Sequence, residues 1–253
     1  MKISFLGTGT STGNPEIGCR CEVCTSSDKR DDRLRASVLV EIEGKRILID
    51  CGPDFRMQML RTLETEYFTQ LDGVLLTHEH YDHVGGLDDL RTFCRNGALE
   101  VYAEDDVANA IRTRISYVFK EHKYPGIPNL NLNEIRNEPF FISGIKIIPV
   151  RLMHGQLPIL GYRIGNFAYL TDLKTIPEEE YAKLENLDVL VINALRFEEH
   201  ISHQTVENAL QQIEKIKPQQ AYLTHMSHHF GLHAVMEKKL PDNIFIAYDG
   251  LVV

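Results

Sequence analysis

The sequence predicts an α/β fold of the mixed α+β type, in which two β-sheets pack face to face and helices cover their outer surfaces as a four-layer αββα sandwich. Short apolar runs bounded by Gly, Asn, Asp or Pro recur along the chain and are typical of strands. Groups of strands are followed by strands that alternate with helices, and this order occurs twice. With 43% hydrophobic and 25% charged residues, the 253-residue chain can build a large core.

The first half of the chain opens with a strand that runs into the loop GTGTSTGNP. Two alternating segments on either side of Glu-Gly-Lys predict a hairpin, and the apolar run GVLLT predicts a buried strand. The second helix begins with Asp, which is favoured in a first helical turn. The predicted strands are Lys2–Leu6, Ser37–Glu43, Arg46–Asp50, Gly73–Thr77 and Glu100–Ala103, and the predicted helices are Leu87–Arg95 and Asp105–Phe119.

The second half repeats this order. Two further hairpins are predicted, and a helix that ends before Pro218 lies between the last strands. Lys120–Glu138 is rich in Pro and Asn and is predicted to be a loop. The predicted strands are Phe140–Ser143, Ile145–Val150, Gly161–Ile164, Phe167–Thr171, Asp188–Ile192, Ala221–Thr224 and Ile244–Tyr248, and the predicted helix is Thr205–Ile216.

We expect one domain over residues 1–253, because the sequence has no repeat, low-complexity tract or linker-like segment. The N-terminus lacks the features of a signal peptide, and no apolar run approaches the roughly 20 residues of a membrane span. These observations predict a cytoplasmic protein without a membrane partner. A net charge of −9 argues against an extended nucleic-acid surface. Five cysteines, three of them clustered, argue against a secreted disulfide scaffold.

The strongest chemical pattern is THEHYDH, which follows the predicted buried strand Gly73–Thr77. Alternate side chains of an extended segment point the same way, so His78 and His80 can face one site, and Asp82 and His83 follow at the next turn. Neutral imidazoles and carboxylates are ligands for zinc, iron or manganese. A solvated His-rich loop is the alternative, but the clustering of these side chains at a strand end favours a metal site.

The spacing His-x-His-x-Asp-His resembles the motif of the metallo-β-lactamase superfamily, whose active site lies at one edge of a β-sandwich. Further family positions occur in order along nearly the whole chain, each after a predicted strand. They are Asp50 in RILID, His154 in RLMHG, Asp172 in YLTD and His225 in YLTH. The resemblance implies that Asp50 supports the ligand loop from behind the metal ligands.

The same resemblance implies a dinuclear metal centre. One metal would be held by His78, His80 and His154, the other by Asp82, His83 and His225, and Asp172 would be shared by both. Two close divalent metals, whether zinc, manganese or iron, make a bridging hydroxide available at neutral pH and neutralise charge on the attacked group. The chemistry that follows is hydrolysis of an ester, thioester, lactam or phosphoester.

A second element, EEHISHQTVENAL, leads into the predicted helix Thr205–Ile216. It resembles the His-x-Thr element of the phosphodiesterase branch, which includes transfer-RNA 3′-processing nucleases and phosphoribosyl cyclic phosphodiesterases. The resemblance implies that His203 protonates the leaving oxygen or steadies the phosphate, alongside Asp82 in the catalytic set. His200 is the rival for this role, and an exposed histidine that only precedes the helix is the non-catalytic alternative.

Cys19, Cys21 and Cys24 form a Cys-x-Cys-x2-Cys cluster near the N-terminus. By itself the cluster could be a redox motif, part of a disulfide, an incomplete metal site or an accident of composition. The phosphoribosyl cyclic phosphodiesterase family carries the same cluster, together with a histidine three residues after the last active-site histidine. The resemblance therefore implies a closed structural zinc held by the three thiolates and His228, with His229 as the alternative fourth ligand.

The predicted function is a metal-dependent phosphodiesterase that hydrolyses a small phosphate ester, cyclic esters included, with His203 as the general acid. Alternatives within the superfamily are a transfer-RNA 3′-processing nuclease, whose long basic arm we do not find in the sequence, and another esterase or thioesterase. A zinc-stabilised binding module is the alternative of another class, although acidic residues around the cysteines offset the basic ones. The sequence does not decide between a monomer and a homodimer.

Overall fold

Two mixed β-sheets form the centre of the protein. The computed structural model describes residues 1–122 and 125–253. Within these ranges one sheet has six strands in chain order: β1 (Lys2–Gly7), β2 (Ser37–Ile42), β3 (Lys45–Ile49), β4 (Gly73–Leu75), β5 (Leu99–Ala103) and β6 (Leu130–Glu134). The other has seven strands, also in chain order: β7 (Phe140–Ile142), β8 (Ile145–His154), β9 (Leu157–Ile164), β10 (Phe167–Leu170), β11 (Val189–Asn193), β12 (Gln220–Thr224) and β13 (Ile244–Ile246).

Both sheets begin with antiparallel strands and continue with parallel ones. In the first sheet β1, β2 and β3 are antiparallel, and β3 to β6 run parallel. In the second sheet β7 to β10 are antiparallel, and β10 to β13 run parallel. Parallel strands need crossover connections, and these contain most of the helices. The repeated order of elements expected from the sequence is therefore the observed one.

Helices cover the outer faces of the sheets. The α-helices are α1 (Phe55–Thr65), α2 (Tyr81–Val84), α3 (Asp105–Arg114), α4 (Val206–Ile216) and α5 (His233–Met236). Short 3-10 segments lie at Lys29–Asp31, Leu87–Cys94, Ser116–Phe119, Glu178–Leu184, His228–Phe230 and Glu237–Lys239. No helix among residues 1–122 and 125–253 is both long and apolar enough to cross a membrane.

Three hydrophobic clusters define the layers. The middle cluster joins the two sheets and includes Ile47 of β3 and Ile147 of β8. A second cluster packs α1 and α3 on the outer face of the first sheet, for example through Met59. The third packs α4 on the outer face of the second sheet through Ala209 and Ile213. The αββα sandwich predicted from the sequence is confirmed.

Helix α4 shows how local sequence sets an element. Its first residue follows Thr205, whose hydroxyl accepts a hydrogen bond from the Asn208 N–H at 3.2 Å and so caps the helix. The buried residues Val206, Ala209, Ile213 and Ile216 recur at helical spacing. The helix ends at Ile216; the next residue, Lys217, caps it in a left-handed conformation with φ 57°, and Pro218 follows.

Several elements differ from those expected. The predicted helix Asp105–Phe119 ends at Arg114 and continues as the 3-10 segment Ser116–Phe119, and the predicted helix Leu87–Arg95 is a 3-10 segment. Helix α1 was not predicted. The predicted loop Lys120–Glu138 contains β6, and only its residues 123 and 124 lie outside the described residues.

Strand β6 is missing from the sequence prediction because it contains asparagines, which are depleted in strands. The structure shows what offsets that low propensity. Asn131 and Asn133 each donate a side-chain hydrogen bond to the Glu100 carboxylate on β5, at 2.7 Å. The partner strand therefore stabilises a segment whose own composition is typical of a loop.

The inter-sheet core provides a test of this packing. Ile47 is fully buried between the sheets, so Ile47→Ala should lower the free energy of unfolding by about 2–5 kcal/mol. Phe141 is 63% exposed, and Phe141→Ala should change it by no more than about 0.5 kcal/mol. Urea unfolding followed by circular dichroism measures both, and equal losses in the two variants would contradict the packing described here.

Candidate active site

The polar side chains singled out by the sequence meet where strands of both sheets end. Asp50 follows β3 and His78 lies beyond β4 in the first sheet. In the second sheet His154 ends β8, Asp172 lies just beyond β10 and His225 follows β12. The site is thus built at one edge of the sandwich, from residues up to 175 positions apart in the chain.

The structure brings the candidate metal ligands together in two adjacent groups that share Asp172. In each group the ligand atoms lie within 4.8 Å of one another. The first group is His78, His80, His154 and Asp172, and the second is Asp82, His83, Asp172 and His225. His80 is exposed and the other members are buried. These are the two groupings that the family resemblance implied.

The donor atoms suit a pair of divalent cations. His225 Nε2 lies 3.0 Å and His83 Nε2 3.3 Å from Asp172 Oδ1. Both nitrogens are nevertheless buried without a hydrogen-bond partner among residues 1–122 and 125–253. Buried polar atoms normally have partners, and imidazole nitrogens facing a common carboxylate are a typical cation cage. The residues present therefore fit two metals with nitrogen and oxygen ligands.

Partners behind the ligands fix the orientation of two imidazoles. His154 Nδ1 donates to the carbonyls of Asp172 at 2.6 Å and Ser202 at 3.1 Å, which leaves Nε2 free to face the site. His83 Nδ1 lies 2.7 Å from Asp50 Oδ2, with the same consequence for its Nε2. Each ring thus presents the nitrogen that a metal ligand needs.

Asp50 is fully buried and makes its contacts from behind the ligands. Besides His83, its carboxylate accepts hydrogen bonds from the Thr77 N–H at 2.9 Å and from Thr77 Oγ1 at 3.0 Å. Burial raises the pKa of Asp50, although His83 and Thr77 act in the opposite direction. This position agrees with the supporting role that the resemblance implied for Asp50.

Three strand-end residues of the site adopt left-handed backbone conformations. The φ angles are 63° at Asp50, 59° at Asp172 and 55° at His225. Non-glycine residues rarely adopt such angles, and they do so mainly where the surrounding structure forces them. At these three positions the left-handed turn redirects the chain immediately after a strand and brings a polar side chain to the site.

The buried carboxylates and imidazoles shift one another's ionisation. Burial alone would lower the pKa of His83, but the carboxylates of Asp172, Asp82 and Asp50 raise that pKa well above its usual range. Burial alone would raise the pKa of Asp172, but His225 and His83 hold it well below its usual range. Asp172 is therefore an anion at neutral pH, as a metal-bridging ligand must be.

His203 packs directly against the ligand groups, whereas His200 lies behind it. The His203 ring centroid is 4.5 Å from that of His154 and 5.1 Å from that of His225, and the His200 ring is 5.0 Å from His203. His203 is buried, and its Nδ1 has no hydrogen-bond partner in the described parts of the chain. Burial lowers the pKa of His203 to about 3, although Asp172 opposes the shift.

The cysteine cluster forms a separate group with His228. Cys19, Cys21, Cys24 and His228 place their ligand atoms within 4.8 Å of one another, and His228 Nδ1 lies 3.4 Å and 3.3 Å from the first two sulfurs. His229 is exposed beside the His228 ring. Burial would raise the pKa of Cys21, but the Cys24 N–H and His228 lower it to about 6, which favours a metal-binding thiolate.

The backbone joins this cysteine group to the active site. Met226, next to His225, donates its N–H to the Thr8 carbonyl at 3.1 Å and accepts from the Thr10 N–H at 3.1 Å. The loop after β1 therefore runs alongside the segment that carries both His225 and His228. A cation held by the cysteines and His228 would tie these two segments together a second time.

Comparison with known proteins identifies the family. The family described as the beta-lactamase superfamily domain matches residues 45–226, most of the chain and all the strand-end positions of the site. The chain belongs to this family. It has the metallo-β-lactamase fold, as its motif predicted.

Individual relatives of this superfamily member carry different names. A protein named octanoyltransferase, from Porphyromonas gingivalis, is 51% identical over 254 residues. The match covers 99% of this chain but only 51% of that protein. The chain therefore spans about half of this relative's length. A solved structure described as a new diphosphatase from the PhnP family has 38% identity and a TM-score of 0.92, and the match covers 100% of this chain and 96% of that one. Zn(2+)-bound PqqB from Methylobacterium extorquens, at 19% identity, covers 100% and 99% with a TM-score of 0.80 and shares the fold.

The superfamily site also uses residues that were not singled out from the sequence. Thr77 binds Asp50 as described, and Thr171 Oγ1 donates to Asp172 Oδ1 at 2.7 Å. A signal for both was present in the sequence. Leu-Thr followed by His or Asp occurs at the ends of β4, β10 and β12, as LLTH, YLTD and YLTH. The threonine precedes the ligand each time, so the repeat marks hydroxyls next to the site.

The cysteine group can be tested apart from the dinuclear group. The three groups of candidate ligands predict three metal ions per chain, and Cys21→Ser should remove one zinc while leaving the other two ions. Cys94→Ser, on the 3-10 segment Leu87–Cys94, is the matched control and should keep all three. Mass spectrometry of metals after dialysis measures the content, and loss of every metal from Cys21→Ser would contradict separate sites.

Proposed function

We propose that this metal-dependent hydrolase is a phosphodiesterase for small phosphate esters, cyclic esters included. The observation that carries the proposal is the position of His203, a buried imidazole that packs on His154 and His225 without being part of either ligand group. Ester hydrolysis at phosphorus needs a proton for the leaving oxygen, and an imidazole beside the metal ligands is placed to supply it. The similarity to a PhnP-family diphosphatase supports the same reaction class.

The ligand groups define the other requirements of the reaction. Two divalent ions held by His78, His80, His154, Asp82, His83, His225 and the shared Asp172 would activate water and neutralise charge on the phosphoryl group. Asp50 and the Asp172 carbonyl hold the rings of His83 and His154 in place. The chain's own contribution is thus a rigid arrangement of ligands, which needs no rearrangement when substrate binds.

The ionisation of His203 is consistent with a role that begins when substrate binds. With a pKa lowered by burial to about 3, its ring is neutral at pH 7 and can donate an N–H hydrogen bond to a phosphate oxygen. An anionic phosphodiester beside the ring favours the imidazolium, because an opposite charge nearby raises the pKa of a base. We propose that His203 takes up a proton from solvent in the substrate complex, passes it to the leaving oxygen and so returns to the neutral ring.

The charge of the space beside the site disfavours a long polyanionic substrate. A cleft of about 280 Å³ borders His78 and is lined by Glu79, Asp106, Arg151 and Leu157. Carboxylates on this wall and a net charge of −9 disfavour a long polyanion such as RNA. We propose a small phosphate ester as the substrate and no extended nucleic-acid partner.

The octanoyltransferase name belongs to a relative about twice as long as the matched region. The groups that meet in this chain are a pair of metal-ligand sets and an imidazole, which suit hydrolysis of a phosphoester. We propose that octanoyl transfer is carried by the half of the relative that lies outside the match. An acyl-transfer assay on this chain tests the assignment, and measurable transfer would overturn it.

The proton-donor role predicts a dependence on the leaving group. His203→Ala should reduce turnover of a 2′,3′-cyclic nucleotide by roughly 100-fold or more, because an alkoxide needs a proton to depart. Bis-p-nitrophenyl phosphate should lose less than about tenfold, because nitrophenolate departs unprotonated. Steady-state kinetics with both substrates, and metal content as a check of the site, provide the measurement.

His200→Ala is the informative comparison, because His200 lies behind His203 and faces the ligand groups less directly. It should retain most of the activity on both substrates. A larger loss in His200→Ala than in His203→Ala would assign the acid to His200. Failure of the metal-loaded wild type to hydrolyse any phosphodiester would overturn the proposed function.

A further inference from the structure

Two buried amide side chains, Asn193 and Gln204, connect the turn that carries Asp172 to the loop that carries His203. Their exposed fractions are 0% and 1%, and neither belongs to a candidate ligand group. Both residues bind the backbone of Leu173, the residue after Asp172: Asn193 through its side chain and Gln204 through its backbone N–H. We call Asn193, Gln204 and the Leu173 backbone the amide clasp.

Asn193 provides one side of the amide clasp from the end of β11. Its Oδ1 accepts from the Leu173 N–H at 2.9 Å, and its Nδ2 donates to the Leu173 carbonyl at 3.1 Å. On its other side, Asn193 lies in register with Thr224 of β12, the residue before His225. Asn193 thus sits between the strand ends that present Asp172 and His225, and its side chain binds the first of them at two points.

Gln204 provides the other side, directly after His203. Its backbone N–H donates to the Leu173 carbonyl at 3.0 Å, and its Nε2 donates to the Asn193 carbonyl at 2.7 Å. The Leu173 carbonyl therefore receives hydrogen bonds from both residues of the clasp. Movement of the His203 loop relative to Asp172 would break these bonds.

The hydrogen bonding of Gln204 is unlike that of a residue selected for stability alone. Its Oε1 is buried and has no hydrogen-bond partner in the part of the chain that the structure describes. A buried acceptor without a partner costs stability, and an apolar side chain of similar shape would avoid that cost. The useful contact of the Gln204 side chain is its donation to Asn193, which fixes the position of the loop.

We propose that the amide clasp is a positioning device that holds the His203 ring at a set distance from Asp172 and the substrate phosphorus. The proposal rests on the proposed function, because His203 is the proton donor proposed above. Proton transfer requires close alignment of donor and acceptor, and a misplacement of about 1 Å can cost about 100-fold in rate. Asn193 and Gln204 are positioning residues, since they act through His203 and Asp172.

The experiment compares Gln204→Met with a matched control in the full chain loaded with metal. Methionine has a similar shape, cannot donate to Asn193, and removes the unpaired Oε1. The expected result is a loss of about 10- to 100-fold in kcat for the 2′,3′-cyclic nucleotide, with KM within about twofold and little change for bis-p-nitrophenyl phosphate. Metal content and melting temperature should remain those of the wild type.

Gln58→Met is the matched control. Gln58 is 1% exposed, its Nε2 donates to the Arg35 carbonyl at 2.8 Å, and its Oε1 also has no partner within the described ranges. It lies on α1, and its side-chain hydrogen bond is to Arg35 rather than to Leu173 or the His203 loop. The ratio of activities on the two substrates should stay at the wild-type value in Gln58→Met.

A readout independent of turnover uses the metal-free protein. In the nitrogen-15 spectrum of the imidazoles, Gln204→Met should shift the His203 signal, whereas Gln58→Met should not. An unchanged substrate ratio in Gln204→Met, or equal losses on both substrates with a lower melting temperature, would overturn the positioning role. If His203→Ala loses activity equally on both substrates, the proposed acid and the amide clasp are both wrong. If His203→Ala shows the expected leaving-group dependence and Gln204→Met leaves the substrate ratio unchanged, only the amide clasp is wrong.

Discussion

The arrangement of the site depends on one fully buried carboxylate at the end of β10. Asp172 belongs to both candidate ligand groups, and its oxygens lie 3.0 Å from His225 Nε2 and 3.3 Å from His83 Nε2. Burying a charge costs several kcal/mol unless opposite charges and hydrogen bonds offset it. The surrounding structure supplies these contacts: Thr171 binds the carboxylate, His154 binds the Asp172 carbonyl, and Asn193 binds the next peptide group. The anion therefore organises both the ligands and the backbone around it.

The sandwich brings the two halves of the site to this carboxylate. Direct bonds between the sheets set the distance: Leu160 of β9 donates to the Thr77 carbonyl at 3.1 Å, and the Tyr162 hydroxyl donates to the Leu76 carbonyl at 2.6 Å. These bonds meet the first sheet just before His78. The inter-sheet core, which includes Ile47 and Ile147, holds the two sheets in contact along their length. Packing in the middle layers thus determines where ligands from separate sheets meet.

The shared carboxylate Asp172, the proposed acid His203 and the amide clasp are joined by continuous hydrogen bonding. Leu173 follows the shared carboxylate, and Gln204 follows the proposed acid. Asn193 joins them from β11, which lies between β10 and β12, the strands that precede Asp172 and His225. On the opposite side, Thr8 and Thr10 bind Met226 beside His225, and the chain then continues to the cysteine group. Backbone contacts from several elements therefore surround His225 and Asp172, which suits a reaction that requires little movement of its ligands.

The sequence alone determined the sandwich fold and the order of its candidate ligands. Strand ends, histidine spacing and the cysteine cluster are local patterns, and they can be recognised without knowledge of tertiary contacts. Only the tertiary structure placed His228 rather than His229 against the thiols, and His203 rather than His200 against His154. Neighbouring histidines look alike in sequence, and the direction of each ring depends on packing with distant segments. The same reason explains why β6 and the amide clasp were not predicted: Glu100, Leu173 and Asn193 stabilise or bind segments far from them in the chain, through contacts that exist only in the folded protein.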